Sequence, residues 1–427
     1  MHILLFIFYS LLCCYGIVKI PFIRKSGIRP ALLLGLFALH VLTGCLHNII
    51  AWRYYPGHGD IWAYFEDSFQ DRALLTSHLD RLFADNSRWR LLSHNTLTFI
   101  QIILDLFSFD NLYINTLLLS FPVFMGNTAL FRVFRRRFPA DPLTAITVFL
   151  IPSTLFWTSC IHREGLLYMF LGFLFYFLDR LFVPSAPRTT PSPDPQPRAP
   201  RRPLYATFFF LLIAYFRPVV AALLVPALLA WWFTERPLPR RRAIILAAAC
   251  AALLLILLMT PGLSTWPVNL LRDQQSEFRN LEGHSRLYLP ALDGSWSSLL
   301  RVLPSAIRNG LFEPLPGSGG HKIYLVFSLE LILIWGIVFA AIALHSTHPL
   351  KPRLSAPPPL NTLSFSRCCL LFSLSGMLLI GIIVPFAGAI VRYRSLYLPF
   401  LLAPCLHSLV HWPPLRRLND KLKFLIS

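Results

Sequence analysis

The chain has 427 residues, of which 55% are hydrophobic and only 14% charged, with 36 phenylalanines, a balance too apolar for a soluble domain of this length. Its formal charge of +19 raises nucleic acid as a partner, but the Lys and Arg residues fall in short runs between apolar segments, the positive-inside pattern of a polytopic membrane protein. Nucleic-acid binding is set aside on that ground, and the eight cysteines, placed mostly in apolar runs, form no disulfide framework or CxxC metal motif.

Crossing ~30 Å of hydrocarbon takes ~20 helical residues. The first such stretch, Met1 to Val18, lacks the basic start and small-residue cleavage site of a signal peptide and reads as a retained span. Ala31 to Trp52, Leu112 to Phe131, Leu143 to Thr158 and Gly165 to Phe182 follow. Leu204 to Phe216 and Val219 to Phe233 are two short halves joined at Arg217-Pro218, and an incomplete span must end in protein or a water-filled cavity. Ala243 to Met259, Ile323 to Leu344, Cys368 to Pro385 and Leu396 to Trp412 complete the set. The expected fold is all-α, a single transmembrane helical bundle (1–427) of about eleven spans. Interfacial helices are expected in two outer loops, 53–111 and 261–322, and the Pro-rich segment 184–203 reads as an extended cytoplasmic linker.

Lys and Arg alternate accordingly: Arg24 with Lys25, Arg135 to Arg137, Arg201 with Arg202, Arg240 to Arg242, Lys351 with Arg353, and Arg416 with Arg417 all fall on one side. That side is expected to be cytoplasmic, with the N-terminus outside and the C-terminus inside. The first outer loop opens with YYPGHGDIWAYFEDSFQD, Tyr54 to Asp71. Its glycines permit a sharp turn that holds Asp60 close to the membrane surface, and on a helix Asp60, Tyr64 and Asp67 share a face that Asp71 continues. Asp80, Asp85 and Asp110 read as solvated loop acids, and the same reading competes for the helix-face acids.

The link FWTSCIHREG, Phe156 to Gly165, turns tightly between spans. Glu164 there either favours a helix N-terminus or faces, with Arg163, the cavity of Asp60. Within this link HxxxH, HExxH and paired cysteines are absent, which argues against zinc there. The second outer loop carries Arg286, Arg301 and Arg308 among apolar residues, for which membrane-surface attachment is the competing account. Arg217, Arg392 and Arg394 run against the charge trend. Each suits bidentate phosphate contact, with snorkelling as the alternative.

These stretches together resemble the GT-C superfamily of integral-membrane glycosyltransferases, in particular bacterial members with a GGDxWxYF loop. GHGDIWAYF matches that loop, PSTLFWTSCIHREG the PSxLFWSSxxxKEG turn and YFRPVVAALLVP the RP corner. LDGSWSSLLRVLPSAIRNGLFEP corresponds to the long outer loop and GAIVRYRSLYLPFLL to the final motif. His58 stands in place of a glycine, His162-Arg163 in place of a neutral residue and lysine, and the linker is unusually long.

The resemblance implies transfer of a sugar from a polyprenyl-phosphate-type donor to a glycan, lipid or protein acceptor. Transfer would take place at the periplasmic face of a bacterial inner membrane, usually with inversion, in cell-envelope polysaccharide or glycoconjugate biosynthesis. Asp60 would be the general base and Glu164 the second acid. Arg217, Arg392 and Arg394 would neutralise the departing phosphate, Tyr54, Trp62 and Tyr64 would stack on sugar rings, and His58, Asp67, Arg163 and Arg286 would contact substrate, with the role of Arg163 left open by the departure at that position. Carboxylate oxygens suit Mg²⁺ or Mn²⁺, but no feature demands a metal. Two other classes compete: a polymerase or O-antigen-ligase-like protein working through outer arginines, and a lipid or solute transporter, for which Glu330 and the broken segment at Arg217 are the hints.

Overall fold

Backbone polar groups in hydrocarbon have no water to bond, so the apolar runs close their hydrogen bonds internally as helices. The structure, a computed structural model, describes residues 1–55, 59–77, 96–138, 142–182, 201–235, 260, 265–281, 285–318, 323–347, 362–410 and 412–423. His58, Asp80, Asp85, most of the Pro-rich linker and the expected span Ala243 to Met259 lie outside them, as does the side chain of Asp71. The described residues form helices joined by short links, with no strand.

In chain order they are α1 (His2–Lys19), α2 (Pro21–Arg24), α3 (Pro30–Tyr54), α4 (Gly59–Ser77), α5 (Thr96–Ser108), α6 (Leu112–Arg137), α7 (Leu143–Phe149), α8 (Pro152–Thr158) and α9 (Arg163–Phe182). Then come α10 (Arg201–Phe216), α11 (Pro218–Glu235), α12 (Trp266–Arg279), α13 (Trp296–Ile307), a π-helical turn (Arg308–Phe312), α14 (Ile323–Thr347), α15 (Thr362–Ile383), α16 (Ala387–Arg394), α17 (Leu398–Leu409) and α18 (Pro413–Leu422). Seven of these, α1, α3, α6, α9, α11, α14 and α15, are long and apolar enough to cross a membrane. Leu329, Ile332, Leu333 and Phe339 of α14 stay exposed, as do Ile3, Leu4, Phe8 and Leu11 of α1. That apolar perimeter belongs in lipid. The chain is therefore an all-α polytopic membrane protein.

The stretch Leu143 to Thr158 differs from the single span expected, because it divides into α7 and α8 with Ile151 extended (φ −66°, ψ 118°) ahead of Pro152. Proline disfavours the helical conformation in the residue before it and cannot donate to the preceding turn. At α17 the 12 helical residues reach only ~18 Å. The helix is enclosed by its neighbours, with Leu398 to Leu406 all buried.

The helices run antiparallel between two ends. Asn48 Nδ2 donates to Thr116 Oγ1 at 2.8 Å, joining the close of α3 to the opening of α6. α9 starts at this end and finishes at Asp179, beside Arg137 at the far end of α6. There Arg137, fully buried, donates from Nε to Asp179 and from Nη1 to Glu235, each at 2.5 Å. Arg136 meets the second Asp179 oxygen at 2.8 Å. Two guanidinium groups and two carboxylates thus cancel, which is how charge is tolerated inside a bundle. The core above them is aromatic: Phe134, Phe138, Phe175, Phe365, Phe400 and Trp231 are fully buried. α6 and α9 approach so closely that a Cβ on Gly172 would lie 2.0 Å from the Gly126 carbonyl oxygen, the small-residue contact that lets membrane helices pack by backbone.

Candidate functional site

The end of the bundle shared by the close of α3 and the start of α9 collects the polar side chains. Gly59 takes a left-handed φ of +72°, which glycine adopts without strain, and this reversal starts α4 with Asp60 in its first turn. On the other side, the short turn Ser159 to His162 starts α9 with Glu164 in its first turn. A Cβ at Gly44 of α3 would lie 2.4 Å from the Ser159 carbonyl oxygen, so only glycine lets α3 approach that turn. Thr154 Oγ1 donates to the Ser395 carbonyl at 2.7 Å, tying α8 to the corner after α16.

α16 is eight residues long and carries Arg392 between the two acids. Arg392 Nη1 donates to Asp60 Oδ2 at 2.7 Å. Its Nε lies 3.0 Å from Glu164 Oε2 without the alignment of a hydrogen bond. Arg217, at the α10–α11 corner, reaches the other Glu164 oxygen at 3.5 Å. The result is a continuous chain, Asp60–Arg392–Glu164–Arg217. The side chain of Glu164 is 2% exposed, that of Arg392 14% and that of Asp60 53%, so the chain runs from solvent into the protein. Burial disfavours the Arg392 cation, but Glu164, Tyr393 and Asp60 together outweigh it and hold the guanidinium charged. Aromatic faces complete the cradle: Tyr393 lies under Arg217 at 4.6 Å and Trp157 under Arg392 at 5.6 Å.

Beside the chain lies a cavity of about 470 Å³. Arg163, Glu164, Arg217, Gln274 and Glu277 supply its polar wall, and Leu379, Ile380, Ile383 and Leu396 an apolar one. Asp60 and Arg392 are not in that wall; Asp60 reaches the cavity through Arg392 and Glu164. Gln274 and Glu277 come from α12, which the sequence places in a loop without singling them out.

The other sequence candidates settle in separate places. Tyr64 faces the cluster, where burial raises its phenol pKa and the Asp60 charge adds to the effect. Trp62 packs on Trp52 at 4.6 Å between ring centres and donates to the Asn48 carbonyl at 3.0 Å, and Asp67 is half-buried farther along α4. Arg286 and Arg394 stand apart. Arg286 stacks on Phe386 and bonds the Arg279 carbonyl, while Arg394 Nη1 donates to the Glu313 carbonyl at 2.5 Å. Both pin the second loop to α16 rather than joining the acid cluster. Glu330, the in-span acid, accepts from the backbone N–H of Ser153 at 2.7 Å and from its hydroxyl at 2.5 Å, capping α8 from a neighbouring helix.

Reading the sequence alone misses a second group beneath this chain. His47 of α3 meets Cys160 and His162 of the turn, all three buried. Burial, with Arg392 and then His47 and Arg163 adding to it, holds the His162 pKa well below its ordinary value, so the ring is neutral.

No known protein family, curated protein or solved structure matches the chain.

Proposed function

We propose that the protein is a membrane glycosyltransferase of GT-C-like type, moving a sugar from a polyprenyl-phosphate-type donor to an acceptor at the outer face of a bacterial inner membrane. The observation that carries this reading is the junction of an exposed carboxylate, a buried carboxylate and two arginines beside a cavity with one polar and one apolar wall. The apolar wall suits the first isoprene units of a lipid carrier and the polar wall suits its phosphate.

In the proposed reaction the acceptor hydroxyl attacks the anomeric carbon and its proton passes to Asp60. The bond from that carbon to the phosphate oxygen breaks, and its electron pair leaves with the phosphate. Arg217, in the cavity wall, faces the charge that grows on the departing group, a stabilisation strongest in the transition state, and Arg392 acts behind it through Glu164. Glu164 holds both arginines in place. The charge of both carboxylates is already met by guanidinium nitrogens, which lie within 3.5 Å of both Glu164 oxygens and of Asp60 Oδ2.

Transport draws less support, since Glu330 is committed to capping α8. The test is sugar transfer in membranes containing wild type, Asp60→Asn and Glu164→Gln at matched protein levels, supplied with polyprenyl-linked sugars. Loss of transfer in both variants is the expected result. Full activity in Asp60→Asn removes it as the base and favours an arginine-centred polymerase or ligase.

A further inference from the structure

His47, Cys160 and His162 lie 1%, 2% and 2% exposed, and their ligand-capable atoms fall within 4.8 Å of one another. Both ring nitrogens of His47 and Nδ1 of His162 have no hydrogen-bond partner. A buried polar atom left unpaired costs ~1–3 kcal/mol, and an imidazole normally directs at least one nitrogen to a carbonyl or carboxylate. Two imidazoles with unpaired nitrogens, each bringing one ring nitrogen within 4.8 Å of the same buried thiol, are not explained by packing. The Cys160 thiol itself reaches only the Phe156 and Trp157 carbonyls, each at 3.6 Å.

We propose that these three residues bind a thiophilic d¹⁰ cation, with Zn²⁺ and Cu⁺ as the two metals of that chemistry. Two imidazoles and a thiolate are a soft donor set, suited to these ions and poorly suited to Mg²⁺ or Mn²⁺. Zn–S of about 2.3 Å and Zn–N of about 2.0–2.1 Å put tetrahedral donors roughly 3.3–3.6 Å apart, so the set closes by about an ångström around the metal. The thiol proton is released to solvent as the S–metal bond forms, leaving the thiolate to offset one positive charge. Arg392, the nearby cation, is already met by Asp60 and Glu164. Phe156 and Trp157 pack on His47 with ring centres 4.3 and 5.0 Å away and shield the site from water. The ion would staple α3 to the turn two residues before Glu164. The sequence hides this set because His47 is more than a hundred residues from its partners.

The experiment is metal analysis of the full chain in detergent, stripped with chelator under reducing conditions, then reloaded with Zn²⁺, Cu⁺ or Co²⁺. About one equivalent of Zn²⁺ or Cu⁺ per chain is expected, with a thiolate-to-metal charge-transfer band in the Co²⁺ form. Cys160→Ser should lose that band and fall below about a tenth of an equivalent. Uptake of Cu⁺ alone assigns the site to copper. Equal metal in wild type and Cys160→Ser, or none of either ion in wild type, overturns the proposal. Should Cys160→Ser not elute as a single species, His162→Gln serves for metal content, and, where Zn²⁺ is taken up, a wild-type Co²⁺ spectrum without the thiolate band also overturns it. The readout is independent of sugar transfer, so it stands or falls apart from the function proposed above.

Discussion

Replacing Arg392 by glutamine removes the one side chain that touches both acids, and the structure sets the size of the effect. Glu164 is 2% exposed and, among its ion pairs with described residues, would keep that to Arg217, 3.5 Å away. Breaking a buried pair by deleting one partner costs ~3–5 kcal/mol; the surviving contact to Arg217 puts Arg392→Gln near ~3 kcal/mol by the same reasoning. Asp60, with its side chain 53% exposed, is screened by solvent, so Asp60→Asn should cost no more than ~1 kcal/mol. Removing Glu164 together with Arg392 takes out the stranded charge, and the double variant Glu164→Gln/Arg392→Gln should be destabilised by less than the sum of the singles by ~1–3 kcal/mol. The assay is reversible unfolding in mixed micelles, followed by tryptophan fluorescence, for the three single variants and the double. If Arg392→Gln costs no more than Asp60→Asn, or if the singles add, the buried arm of the ion chain carries no energy.

At the α6–α9 crossing, Gly172→Leu should cost several kcal/mol, while Gly35→Ala, with open space where the Cβ would go, should be neutral or raise stability by ~0.5–1 kcal/mol; the same unfolding assay reads both. Glu330→Leu should lower stability by ~1–3 kcal/mol through the orphaned α8 N-terminus, and Ser153→Ala by less, because the backbone N–H to Glu330 remains. Asp293 accepts from the hydroxyl and backbone N–H of Ser295, which hold its carboxyl down at about 2 from an ordinary 3.8. Its contribution to the second loop is therefore complete above about pH 4 and lost as pH falls through about 2. Pepsin cleavage near Trp296, taken relative to an unstructured peptide at the same pH, should rise as pH falls across that window in wild type and stay level in Asp293→Asn.

Helix positions were legible wherever the apolar run was long, because the backbone has no other way to satisfy itself in lipid. The Gly59-Asp60 turn and the Glu164 helix start were legible for a local reason as well: glycine and acid chemistry at a helix N-terminus act within a few residues. The partner of each acid was not. Arg392 is 332 residues from Asp60, and nothing near it distinguishes an arginine that bridges two carboxylates from Arg394, two positions on, which ties down a loop. Arg137 reads as one of a basic run, yet it is fully buried, because Asp179 and Glu235 arrive on other helices. Glu330 illustrates the reverse case: an acid inside a span suggests an ion path, and its role becomes clear only when the broken α7–α8 segment brings an uncapped N-terminus to it.

The Arg137 junction has a consequence for biogenesis. Its partners are synthesised 42 and 98 residues later, so at a ribosomal rate of ~5–20 residues per second the arginine waits on the order of ten seconds for Glu235. Over that interval α6 must keep its end at the water boundary, where the long side chain stays hydrated. The helix sinks to its final depth only when α9 and then α11 emerge. Assembly is thereby ordered by translation, and a nascent chain halted before residue 235 should leave this corner unfinished and open to membrane quality control.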